Sequence, residues 1–193
     1  MNKLFAKAAK VTRVLTTAPV LAAIFLTLLH ALTQDTFSAT SHYLRALFYL
    51  TILPALAYPV AWLVPKLHQK GREGERNLAI AFSVIGYVLG FVDFVFTGTP
   101  LEKVVFGTYL LSGILIAATT KLHFKASGHA CGVSGPMAVL CHSVNPLFAL
   151  GYGLLAFVFW SSLQLKRHTV AQLVVGTLIP VMAMYLNLAI FCR

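Results

Sequence analysis

The chain alternates long apolar runs with short charged connections. Uncharged stretches cover residues 14–34, 46–65, 77–101 (broken only by Asp93), 104–120, 126–165 and 168–192. A helix that crosses a bilayer needs roughly 20 apolar residues, so most of these runs suffice for one crossing and the run at 126–165 suffices for two. Asn145 and Pro146 sit at its middle, where the residue before a proline is turned away from helical geometry. Splitting the run there predicts helices at 14–33, 46–65, 77–97, 103–120, 128–144, 146–165 and 168–191. The predicted fold class is therefore all-α, a polytopic transmembrane bundle of seven helices, with six as the alternative count. It forms a single integral membrane domain over residues 1–193.

Composition agrees with this pattern. With 59% hydrophobic and 10% charged residues, the chain is too apolar for a soluble domain. Its first run follows Lys3, Lys7, Lys10 and Arg13, but it is longer than a signal-peptide core and lacks a small-residue cleavage site. It is read as a retained helix. A cytoplasmic N-terminus would put all of the 15 basic residues on the inner side except Arg45, Lys103 and Arg193, the asymmetry expected of inner loops. The net charge of +10 is thus assigned to topology and lipid headgroups and not to nucleic acid. The expected location is the inner membrane of a bacterial or archaeal cell, with polar chemistry facing the cytoplasm. Cys131, Cys141 and Cys192 have no paired metal-ligand spacing, so neither metal nor cofactor is expected.

The segment Lys121-Leu-His123-Phe-Lys125-Ala-Ser127-Gly128-His129 reads as an anion site. Ser127 can cap the following helix, Gly128 lets the backbone approach a ligand, and the helix start carries partial positive charge. Lys121 and Lys125 add full charges, and His129 can exchange a proton near neutral pH. Lys166-Arg167-His168-Thr169, followed by Gln172, repeats the logic at the last helix, where Gln172 lies one turn from His168 and could orient its imidazole. A third basic segment, from Lys70 through Arg76 to Asn77, opens the helix predicted at 77–97. Three helix starts are expected to converge on one plane. His30, His42, His68, His123 and His142 are read as ordinary, and Asp93 as a helix-end carboxylate.

These residues resemble the type 2 phosphatidic acid phosphatase family, which includes lipid phosphate phosphatases and shares its core with vanadium haloperoxidases. The family pattern is Lys-x6-Arg-Pro, then Pro-Ser-Gly-His, then Ser-Arg-x5-His-x3-Asp. Ala126-Ser127-Gly128-His129 is similar to the second part, and Ser161-Ser162, His168 and Gln172 fall in register with the third. Ser162 stands at the arginine position, Gln172 at the aspartate position, and Arg76 is a loose candidate for the first part. The resemblance covers residues 66–176. It implies metal-independent hydrolysis of a lipid or isoprenoid phosphate, with His168 as nucleophile and His129 as the acid for the leaving oxygen. It further implies that Arg76, Lys121, Lys125, Lys166, Arg167, Ser127 and the Gly128 amide hold the phosphate, and that Gln172 orients His168.

Two alternatives remain at this level: a catalytically inactive relative that binds a phosphorylated lipid or partner protein, and a small transporter. The partners expected are a phosphorylated lipid or isoprenoid substrate and membrane lipids. Oligomeric state is not legible.

Overall fold

The computed structural model describes residues 3–33, 36–69 and 71–192. Among these residues the chain is helical, with no strand. The elements are α1 (Lys3–Leu15), α2 (Ala18–Leu32), α3 (Thr40–Leu63), α4 (Gly71–Thr97), α5 (Pro100–Lys121), α6 (Gly128–Ser143), α7 (Pro146–Gln164) and α8 (Val170–Phe191). A single turn, Pro65–His68, joins α3 to α4.

Local sequence explains the boundaries. Thr99 caps α5 by accepting from the Glu102 amide, the Glu102 carboxylate accepts from the Thr99 amide, and Pro100 follows in the first turn. Asn145 caps α7 through the Leu147 amide at 2.8 Å, after which the chain runs as a 3-10 helix over Pro146–Gly153 before relaxing to α-helix over Leu154–Gln164. Within α3, a π-helical turn spans Phe48–Ile52 just before Pro54, an adjustment suited to a residue that has no amide hydrogen to offer.

All seven apolar segments are helical, but the expectation of seven spans is met only in part. Five helices are long and apolar enough to cross a membrane, and a sixth is added if the pair Lys7–Leu15 and Ala18–Leu32, bent by 49°, is one span. The central helix α6 has only 16 residues, about 24 Å at a rise of roughly 1.5 Å per residue, short of the roughly 30 Å apolar core of a bilayer. Two boundaries also differ from expectation. The charged N-terminal residues form α1, with the break at Thr16 and Thr17 ahead of Pro19. The last turns of the basic segment before Asn77 join α4, which begins at Gly71.

Helix α8 packs on α5 and α6, α4 on α3 and α5, α2 on α6, and α1 on α7. The main core unites Phe25, Leu26 and Leu29 of α2 with Phe94, Phe106, Leu140 and Met184. A smaller cluster of Ala130, Val133, Val158 and Leu173 lies beneath the starts of α6 and α8. Outward-facing Val84, Val88, Val92 and Phe96 recur every four residues along α4 and are exposed, an apolar stripe suited to lipid.

The connections gather at two ends. At one, Thr99 Oγ1 donates to the Thr36 carbonyl at 2.8 Å, joining the α4–α5 turn to the segment before α3. Here the His42 imidazole meets the fully buried Glu102 carboxylate at 2.8 Å, and Arg45 pairs with Asp93 at 2.6 Å. Asp93, in the last turns of α4, is thus a helix-end carboxylate as expected, and it pairs across to α3. At the other end, the α5–α6 and α7–α8 loops meet.

Candidate functional site

Helices α5 and α7 both deliver the chain to this second end through the same turn. His123 and Lys166 adopt left-handed backbone at φ 59° and 50°. The next residue of each returns its amide to the helix: Phe124 N–H donates to Thr119 O, and Arg167 N–H to Ser162 O, each at 2.9 Å. Glycine normally serves at this position, because a side chain in the left-handed region costs about 1–2 kcal/mol. Two non-glycine residues held there mark loops whose path is imposed by their surroundings.

From the first loop the chain enters α6 through Ser127, which is fully buried and whose Oγ accepts from the Ala130 amide at 3.3 Å. The Ser127 amide in turn donates to the Gln172 carbonyl of α8 at 2.9 Å. Gly176, one turn further along α8, lies so close that a β-carbon there would sit 2.5 Å from the Ser127 carbonyl oxygen. The start of α8 is thus locked against the Ser127–Gly128–His129 turn by a backbone hydrogen bond and a glycine contact. Gly128 itself faces open space, with nothing within 4 Å of a β-carbon built on it.

Each histidine is anchored through one ring nitrogen. His129 Nδ1 lies 2.9 Å from the Thr16 carbonyl, and His168 Nδ1 lies 3.1 Å from the Lys125 carbonyl. A carbonyl only accepts, so Nδ1 carries the proton in both rings, and Nε2 is the atom left to act on a ligand. Burial is the main influence that lowers the His168 pKa from its ordinary value, opposed by the Lys125 carbonyl and assisted by the charge of Arg13. His168 is therefore biased towards the neutral imidazole, the form that carries a lone pair on Nε2.

Gln172 caps its own helix as well as touching His168. Its Oε1 accepts from the Thr169 amide at 3.0 Å while Thr169 Oγ1 accepts from the Gln172 amide at 3.3 Å, a reciprocal cap of α8. The Lys125 carbonyl is the main anchor of His168, with the Gln172 side chain a lesser influence on the ring. Lys121, Lys125, Lys166 and Arg167 are exposed around the site, and the Arg167 charge reaches His168. The Arg76 side chain lies outside the described residues. Helix α4 packs on α3, α5 and Pro65–His68, and the helix starts joined here by a backbone hydrogen bond and a close contact are those of α6 and α8.

Two residues at the site, Arg13 and Thr16, escaped the sequence reading as site residues, and a third, Ser162, was read only for its register. Arg13 Nη1 donates to Ser162 Oγ at 3.2 Å, Ser162 being fully buried in the last turn of α7. Thr16 follows Arg13 by one helical turn and supplies the carbonyl that holds His129. Only Ser162 carried a signal, its register with the family's arginine.

A half-open pocket of about 280 Å³, bordered by Cys141, His142, Tyr152 and Tyr185, belongs to the far half of α6 and not to His129 or His168. No family model matches the chain, and no curated protein or solved structure matches it.

Proposed function

We propose that this chain is an integral membrane phosphatase that removes phosphate from a lipid or isoprenoid phosphate, with His168 as nucleophile and no metal requirement. The observation that supports it most is a pair of anchored imidazoles near a capped helix start: His129 and His168 each give Nδ1 to a carbonyl, and each lies within electrostatic reach of the other. The similarity of Ser127-Gly128-His129 and His168 to the phosphatase pattern adds to it. The exposed apolar faces suit a substrate whose tail stays in lipid while its phosphate reaches the polar end. The bundle would lie in a bacterial or archaeal inner membrane, its seven segments threading from a cytoplasmic N-terminus so that this end faces the cytoplasm.

In the proposed reaction His168 Nε2 attacks phosphorus, the N–P bond forms, and the P–O bond to the leaving group breaks. The leaving oxygen takes its proton from Nε2 of His129, because Nδ1 of that ring is held by Thr16. His129 must therefore be doubly protonated at that moment, a state the arriving phosphate dianion favours by its charge. Water then attacks the phosphohistidine, its proton returns to His129, and inorganic phosphate leaves. Exposed Lys121, Lys125, Lys166 and Arg167 with the Gly128 amide supply positive potential around the phosphoryl oxygens.

A second reading, a non-catalytic phospholipid-binding relative, draws on one observation. Position 172 offers an uncharged amide already engaged in capping Thr169, so no carboxylate there steadies an imidazolium at His168. Purified protein given phosphatidic acid and an isoprenoid phosphate in the presence of a chelator decides between them. Release of inorganic phosphate that disappears in His168→Ala and in His129→Ala is expected. Tight binding without release across such substrates favours the second reading, and undiminished turnover in either variant overturns the assigned mechanism.

A further inference from the structure

Resting on the phosphatase reading above, we propose that the seam between α7 and α8 holds the substrate's tail and that the pocket at its far end takes the tail's terminus, so that the protein favours a single tail longer than one leaflet, as in a polyprenyl phosphate. Helices α7 and α8 are joined by residues 165–169, which carry His168. Both pack on α6 but meet each other only lightly, which leaves a seam over α6 that starts beside His168. On α8, Val170, Val174, Leu178, Val181 and Tyr185 fall within roughly 80° of one another at 3.6 residues per turn. The first three are exposed, and the last two line the half-open pocket of about 280 Å³. Buried Ala138 and Met184 border its inner side, and Tyr152 of α7 forms the opposite wall. Gly151 lets that wall close on α6, since a β-carbon there would collide with Met137 Sδ, and the Tyr152 hydroxyl donates to the Ser134 carbonyl at 3.4 Å.

Charge along the seam matches an amphiphile with an anionic head. Its near end carries Lys166 and Arg167 beside His168, whereas no lysine, arginine, aspartate or glutamate lines the pocket or the α8 row. Length decides the class of tail. Val170 to Tyr185 covers about 22 Å at roughly 1.5 Å per residue, while one leaflet of a bilayer with an apolar core of about 30 Å supplies only about 15 Å. A tail confined to its own leaflet, as the acyl chains of phosphatidic acid are, therefore stops short of the pocket. A tail that fills it must pass the midplane. Lipid solvates a hydrocarbon chain as well as apolar side chains do, so preference for a tail rests on close packing and not on removal from water. The walled pocket supplies that packing, and an open helix face does not.

The test uses the full chain in proteoliposomes, with two readouts. A polyprenyl phosphate bearing a photoreactive diazirine at its tail end should, on irradiation, label the peptides around Tyr152 and Tyr185, and unlabelled undecaprenyl phosphate should suppress that label. Phosphate release is then compared for undecaprenyl phosphate and for geranyl phosphate, whose tail ends well short of the pocket. Val181→Trp, which fills the pocket, should lower the undecaprenyl-to-geranyl ratio of kcat/KM by about tenfold, and Val174→Trp, which obstructs the seam, should lower it likewise. Leu186→Trp, on another exposed face of α8, should leave the ratio unchanged. The ratio cancels any general loss of folded protein. A ratio within twofold of wild type in Val181→Trp overturns the proposal, as does label spread evenly over the exposed helix faces, α4 included. The two readings fail separately. Pocket labelling without phosphate release keeps the tail site and rejects the phosphatase, whereas release from both substrates with no pocket labelling and no shifted ratio does the reverse. Neither labelling nor release overturns both.

Discussion

Gly176→Ala is the substitution whose consequence follows most directly from the geometry. A β-carbon at Gly176 would lie 2.5 Å from Ser127 O, 2.8 Å from Ser127 N and 3.1 Å from Ser127 C, all backbone atoms, where ordinary contact begins at 3.4 Å. No flexible side chain can yield, so α8 and the Ser127 turn must part by nearly an ångström, straining the 2.9 Å bond from the Ser127 amide to Gln172 O. Overpacking of this kind costs about 1–3 kcal/mol. At about 2–4 °C per kcal/mol for a chain of this size, the melting temperature should fall by about 2–12 °C. Under the proposed reaction turnover should suffer more, because a displacement of about 1 Å between reacting groups can cost 10²-fold, and this contact joins the segments that carry His129 and His168. Gly153→Ala is the control, since nothing lies within 4 Å of a β-carbon there, and its stability should stay within about 0.5 kcal/mol of wild type. Melts followed by helical circular dichroism in one detergent, with phosphate release measured alongside, compare the two. A Gly176→Ala protein that melts and turns over like wild type refutes the claimed lock between α8 and the site.

Two further expectations concern the ends of the bundle. Glu102→Ala removes the partner of His42 and the second half of the Thr99 cap at a fully buried position, so it should destabilise by about 3–5 kcal/mol in a thermal or denaturant melt; Arg45→Ala, which breaks a pair whose arginine is 36% exposed, should cost about 1 kcal/mol or less. For pH, the His168 pKa is lowered, first by burial, so the folded ring stays neutral below the ordinary histidine value of about 6.5 while the unfolded chain takes up a proton. Stability should therefore fall as pH drops below about 6.5, an effect His168→Ala should lessen, and the acid limb of the pH–rate profile should lie below about 6.5; a limb well above that value contradicts the assignment of His168 as the neutral nucleophile.

Much of the helical layout was legible because apolar run length is a strong signal in lipid. The Asn145–Pro146 break was found where the cap of α7 lies, and the segments around 103–120 and 168–191 match α5 and α8 to within a few residues. The misses have local causes. Residues 3–15 read as a charged tail because their lysines and arginine mask a helix whose partner, α7, lies far away in sequence. The basic run before α4 hid helical turns for the same reason. The Ser127 cap was readable from its position before Gly128, as was the placing of His129 and His168 at helix starts. The cap formed by Thr169 and Gln172 was also present as a four-residue pattern, but Gln172 was read only for its bond to His168 and not as part of the cap. Arg13 could not be found from sequence: nothing local distinguishes it from Lys7 or Lys10, and only the docking of α1 brings it to Ser162.

The most direct test of the central claim is to trap the covalent intermediate. Protein mixed with radiolabelled phosphatidic acid, quenched in alkali during turnover and digested, should yield an acid-labile, base-stable phosphate on the peptide carrying His168, and the label should vanish in His168→Ala. Sustained phosphate release with no label on that peptide, or label that persists in His168→Ala, contradicts the account.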